Sequence, residues 1–243
     1  MPVTAAASVR HRAPGPLHAS AAVALVVLAL STAQAAGLGP ALIERGWEAV
    51  SFEGKPANAY RLTGDGAIEV VSERSVSLIQ RPITVDIEET PVLGWRWRVD
   101  SGVPATDLTR KGGDDRSLAV YVTFPFRPDE ASLLQRMRRA MVEAMAGGAA
   151  PGRVLCYVFG GEGERGAIQQ NPWFGDAGAS LILRPAGSAT GTWLEERVDL
   201  AADYRRVFGS APDDPTHLAI SADSDDTGGR VRAFVDGLRF QTR

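Results

Sequence analysis

The chain of 243 residues carries 26 Lys and Arg against 29 Asp and Glu, three His and a single Cys. One Cys excludes an internal disulfide, a CxxC redox pair and a cysteine zinc cluster. A formal net charge of −3 supplies no overall basic field for holding nucleic acid.

The first 35 residues have the three-part layout of a secretory signal. Arg10 and Arg12 form a basic start, an apolar run follows from Ala19 to Leu30, and Ala33-Gln34-Ala35 offers small residues before a cut at Ala36. The run falls short of the roughly 20 residues that span a bilayer, so no membrane span is expected after cleavage. No Cys follows the site, which excludes a lipoprotein. The expectation is an exported protein, periplasmic or secreted. Cleavage leaves residues 36–243, removes two Arg and no acid, and makes His217 the only imidazole. A multi-His zinc site is then impossible in a monomer, and a Ser-His-Asp triad has one candidate base.

Period-two alternation dominates the mature chain. Residues 67–72, 76–79 and 83–87 read as short strands between polar or proline breaks. In 93–99, Leu93, Trp95, Trp97 and Val99 share one face while Gly94, Arg96 and Arg98 take the other. Residues 117–124 and 154–159 are nearly continuous apolar runs, as expected of buried strands, and Cys156 lies inside the second as a small core residue. The spacing breaks to a helical period over 129–145, with apolar residues at Leu134, Met137, Met141, Ala144 and Met145, a cap at Asp129 and a stop at Gly147-Gly148. Strands resume at 180–183, 193–200, 217–222 and 231–240, with a short helix over 201–208 ended by Gly209. Roughly ten strands and few helices predict a mainly β chain. The expected form is a single two-sheet β-sandwich over 36–243, jelly-roll-like, with one flanking helix and one short helix.

Four features bear on chemistry. Asp223, Asp225 and Thr227 alternate ahead of Gly228, like the first half of a calcium loop, where alternation points successive oxygens at one centre. Phe234 stands where a bidentate Glu would close an EF-hand, so Asp199 or Asp236 would have to complete the site; the alternative is a solvated hairpin turn. Asp114 and Asp115, flanked by Lys111 and Arg116, are candidates to hold a ligand hydroxyl or a metal, or to form a loop-stabilising ion network. Glu196 shares the face of Leu194, Val198 and Leu200, so alternation turns a carboxylate inward unless a bulge rotates it out. Paired with Asp199 or Asp223, it is a candidate glycosidase acid. Among five Trp, Trp173 in the loop Asn171-Pro172-Trp173-Phe174-Gly175 is the best candidate for an exposed platform. No GxSxG, HExxH or P-loop occurs.

Several of these pieces recur together in one order: Trp95-Arg96-Trp97-Arg98-Val99, Gly113-Asp114-Asp115, Cys156-Tyr157-Val158-Phe159, Asn171-Pro172, Trp193, Glu196, Asp203-Tyr204-Arg205-Arg206 with Phe208-Gly209, and Asp223 to Gly228. In this the chain resembles the bacterial domain-of-unknown-function family 3047, a set of exported proteins, over about Trp47 to Phe240. It departs from the family pattern at Val198, where an Arg is expected, at Asp226, where Asn is expected, and at Asp236-Gly237, where the order is reversed. The first departure removes an expected cation near Glu196. The family name supplies no activity and leaves function open, so the expectation rests on export, sandwich class, loop acids and an exposed Trp. The expected function is therefore a non-catalytic binding domain for a glycan or cell-envelope ligand, with calcium as the candidate cofactor. The alternatives are a carbohydrate hydrolase using Glu196 with an Asp, and an envelope scaffold using the 129–145 helix.

Overall fold

The computed structural model describes residues 37–131, 136, 139 and 152–243. The expected signal segment and most of the expected 129–145 helix lie outside the described residues. Twelve strands are present among them: β1 (Glu48–Ser51), β2 (Ala59–Leu62), β3 (Ile68–Glu73), β4 (Val76–Pro82), β5 (Val92–Ser101), β6 (Arg116–Thr123), β7 (Val154–Phe159), β8 (Ile168–Gln170), β9 (Gly178–Arg184), β10 (Leu194–Asp199), β11 (His217–Asp223) and β12 (Arg230–Gln241). Two short α-helices join them, α1 (Pro40–Ile43) and α2 (Leu200–Phe208).

The strands form a seven-stranded sheet, β1-β4-β11-β6-β7-β9-β8, and a five-stranded sheet, β10-β5-β12-β3-β2. The chain crosses between sheets after β1, β3, β4, β5, β9, β10 and β11, which rolls it into the two-sheet, jelly-roll-like sandwich. Pairing is antiparallel apart from β7 against β9.

The inner faces supply the core. Leu93, Trp95, Trp97 and Val99 of β5 are buried, as their alternation requires, and Trp97 meets Trp95 and Phe159 edge-on, with ring centroids 5.3 and 5.5 Å apart. The seven-stranded sheet also carries an apolar cluster on its outer face, with Leu108, Ala119, Tyr121, Val154, Cys156, Val158, Ile182 and Ala219 buried there. Every residue of β7 is consequently buried. Burial on both faces is the physical reason why 117–124 and 154–159 are unbroken apolar runs.

The short helix forms as its sequence predicts. The Asp199 carboxylate accepts from the Ala202 amide at 2.9 Å, and Gly209 closes the helix with φ 74°. The segment 83–87 is a correction, since it is a loop. The Asp86 carboxylate accepts from the Glu88 and Glu89 amides, and the Ile87 amide donates to Asp214. The Asp86 bonds turn the chain just after the segment, and the long-range bond to Asp214 takes an amide that a ladder would have used. Among the described residues no helix is long and apolar enough to cross a membrane.

Candidate functional site

On the outer face of the seven-stranded sheet, register places Tyr121 beside Cys156 and Cys156 beside Ser180. A closed polar ring is built on that row. Arg116 donates from Nε to the Tyr121 hydroxyl at 3.0 Å, and from Nη1 to the Asp114 carbonyl at 2.8 Å and the Asp114 carboxylate at 3.3 Å. The Trp173 indole N–H donates to the same carboxylate at 2.7 Å. Asn171 accepts from the Trp173 amide and donates to Ser180, which returns the ring to the sheet.

Buried polar groups are tolerated only when partnered, and here they serve to position one exposed ring. Trp173 is 44% exposed, with Lys111 Nζ 4.6 Å from its ring centroid. Trp47, Trp95 and Trp97 are buried. The Cys156 thiol is pushed up to about 11 by burial, which keeps it an unreactive core thiol.

The two acidic loops meet beside this ring. Asp115 is fully buried. Its Oδ2 accepts from the Thr227 amide at 2.7 Å and the Thr227 hydroxyl at 2.6 Å, and its Oδ1 accepts from the Asp226 amide at 3.3 Å. The expected metal ligands are thus engaged differently from a calcium half-loop. Thr227 donates to Asp115, Asp225 pairs with Lys55, and Asp223 Oδ2 faces Arg116 at 3.3 Å. Burial pushes the Asp223 carboxyl up to about 9 against the pull of Arg116, and the neighbouring Asp225 adds to the rise.

The expected completing ligands lie elsewhere: Asp199 caps α2 and pairs with Arg243, and Asp236 pairs with Arg96. The carboxylates that do converge are Asp115, Asp225 and Asp226, with oxygens within 4.8 Å of one another. Asp226 is the position at which the resemblance leads one to expect Asn.

Glu196 belongs to neither group. Its strand pairs with β5 without a bulge, so it points inward. Oε1 accepts from the Trp97 indole N–H at 3.1 Å and from Arg184, and Oε2 accepts from Arg165 at 2.8 Å. The cation expected at position 198 is replaced by two arginines from other segments. Arg116 pairs with Asp114, as the loop-stabilising alternative for that acid pair expects, while Tyr121, Ser180 and Arg165 carry no local signature in the sequence. Only the parity of β6, β7 and β9, once their pairing is known, brings Tyr121, Cys156 and Ser180 into one row.

A family model described as protein of unknown function (DUF3047) matches residues 45–239. The chain belongs to that family. No curated protein matches it. Among solved structures, it is similar to the xyloglucanase domain of NopAA, a type three effector from Sinorhizobium fredii in complex with cellobiose. That match has a TM-score of 0.41 and 8% identity, covering 82% of this chain and 95% of that one. It is also similar to the endoglucanase cel12A from Rhodothermus marinus, with a TM-score of 0.42 and 12% identity over 81% of this chain and 92% of that one.

Proposed function

We propose that this DUF3047 protein is an exported, non-catalytic binding domain for a glycan or cell-envelope saccharide, with Trp173 as its stacking platform. The observation that carries this reading is an exposed indole fixed in place through its N–H by a buried carboxylate. Fixing the ring before binding lowers the entropic cost of ordering it on the ligand. An aromatic face with polar groups at its rim suits the apolar face and hydroxyl edge of a sugar ring. Lys111, over one face of the ring, is the polar neighbour within reach of such a ligand, while Asp114 is buried behind the indole N–H and holds it in place.

A hydrolase reading needs a carboxyl free to give or take a proton within reach of the bound sugar. Asp114, Asp115 and Glu196 are each held by donors instead. Calcium at Asp115, Asp225 and Asp226 is an accessory proposal, favoured by the all-oxygen donor set and opposed by Lys55 on Asp225. Export rests on the signal layout of residues 1–35, and N-terminal sequencing of the exported protein should begin at Ala36.

The test is affinity electrophoresis and tryptophan fluorescence against a panel of neutral polysaccharides and peptidoglycan fragments, with wild type and Trp173→Ala. At least one glycan should bind the wild type and lose about tenfold or more in affinity in the variant, a loss of about 1.4 kcal/mol, with thermal stability preserved. No binder in the panel, or binding indifferent to Trp173→Ala, overturns the proposal. Release of reducing ends would replace it with the hydrolase reading.

A further inference from the structure

The solvent face of the five-stranded sheet holds a groove of about 580 Å³ at its β2 edge. Its floor is a row across three paired strands, Ala59, Val71 and Arg232. Its wall is the stretch 37–39, laid along β2 by a Gly39 amide that donates to the Tyr60 carbonyl at 2.8 Å. The wall needs glycine to lie so close: Gly37 has φ 129°, and a Cβ there would sit 2.2 Å from the Asn58 carbonyl oxygen.

Arg61, Arg230 and Arg232 stand around this floor. Glu69, with a side chain only 2% exposed, holds two of them. Its Oε2 accepts from Arg61 Nε and its Oε1 from Arg232 Nε, the latter at 2.8 Å. Arg230 is held through Nε as well, 2.9 Å from Glu73 Oε1. Each guanidinium is therefore anchored by its inner nitrogen. The terminal nitrogens of Arg61 and Arg230 make no hydrogen bond among the described residues, and Arg232 Nη1 has only Asp100 at 3.6 Å. Glu73 and Asp100 stand at the margin, so the cationic character of the lining lies in the outward ends of the guanidinium groups and not in a net excess of charge.

We propose that this groove is a binding site for a small ligand bearing an oxyanion, a carboxylate or a phosphate, on a compact and partly apolar body. Guanidinium forks held at their inner nitrogens present paired N–H donors outward, the arrangement that matches carboxylate and phosphate oxygens bidentately. The volume lies within the range of about 300–1,000 Å³ that small-molecule sites occupy, and Ala59 and Val71 give the body an apolar floor. The site shares no residue with the Trp173 ring and stands or falls apart from it.

The experiment is calorimetric titration of the full chain with inorganic phosphate and, separately, with glucuronate, at ionic strength held constant with potassium chloride. Wild type, Arg230→Gln and Arg232→Gln are compared. Saturable binding of either probe, weakened about tenfold or more by each substitution, is the expected result. The probe that binds distinguishes phosphate from carboxylate. If Arg232→Gln fails to fold because Glu69 loses a partner, Arg230→Gln decides alone, since its partner Glu73 is on the surface. Heats no different from those of potassium chloride, or binding unchanged in the folded variants, overturn the proposal.

Discussion

Replacing Glu196 separates a structural carboxylate from a working one. Its side chain is 1% exposed and accepts from three donors, one of them the indole N–H of the fully buried Trp97. Glu196→Ala leaves that N–H without an acceptor, a loss of about 1–3 kcal/mol. Breaking a buried ion pair from one side costs about 3–5 kcal/mol when the other charge is trapped. Here Arg165 and Arg184 are 53% and 25% exposed, so they regain water and the low end applies. The expected loss is about 3 kcal/mol for Glu196→Ala, and about 1–2 kcal/mol for Glu196→Gln, which keeps an oxygen for Trp97 but loses charge-assisted bonds. At about 2–4 °C per kcal/mol for a domain of this size, Glu196→Ala should lower Tm by about 6–12 °C. Urea unfolding of both variants at neutral pH measures the loss directly. Wild-type stability in Glu196→Gln together with lost glycan binding or turnover would refute the reasoning and make Glu196 a ligand-contacting group.

Asp115→Ala should cost about 2–4 kcal/mol, because three donors lose a buried charged acceptor; hydrogen exchange at the Asp226 and Thr227 amides should accelerate, and unchanged protection there would show that the loop is not held by Asp115. Glu69 sits below its ordinary carboxylate range because Arg61 and then Arg232 bond its charged form against the opposing effect of burial. A depressed carboxyl contributes stability above its unfolded value, about 4.3, and loses it as pH falls through the folded value. Unfolding midpoints measured from pH 7 downward should therefore decline less steeply below about pH 5 in Glu69→Gln than in wild type; parallel curves would remove Glu69 from the acid response. Calcium that binds only the native chain should raise Tm as its concentration passes Kd, by about 2.7 kcal/mol of stability at 100 Kd, and Asp225→Asn should abolish the rise. A flat response up to about 10 mM, well above the weak extracellular range, would leave the acidic loop as a turn closed by Asp115.

The strands that bury one face were legible because burial imposes period two: the four inward residues of β5 come from alternation alone, whereas alternation left Glu196 open between inward and a bulge, and the regular pairing of β10 with β5 turns it inward. The strands that were not legible bury little. β8 is three residues with Ile168 largely exposed, an edge strand whose pattern is set by its neighbour β9 rather than by its own apolar residues. β1 and β2 are four-residue edge strands of the same kind. The segment 83–87 failed in the opposite sense, since its alternation is real while the chain turns at Asp86 and the Ile87 amide goes to the Asp214 carboxylate.

The candidate site was legible in pieces and not as a whole, for a reason that lies in the register. Within β6 the residues Leu118, Val120 and Val122 face the core, and strict parity would send Arg116 there too. The pairing of β6 with β11 slips between Ser221 and Asp223, and past that slip Arg116 reaches Tyr121 on the outer face while Asp223 faces Arg116. One irregularity thus gathers the acidic loop at 223, the acid pair at 114 and the Trp173 loop around a single buried guanidinium. A local pattern cannot contain that outcome, because the residues it joins are far apart in the chain and the bulge depends on all of them at once. The same geometry makes the glycan reading specific. A platform held by Asp114 depends on Arg116 to keep that carboxylate in place, so the proposed binding face and the acidic loops are joined through one guanidinium.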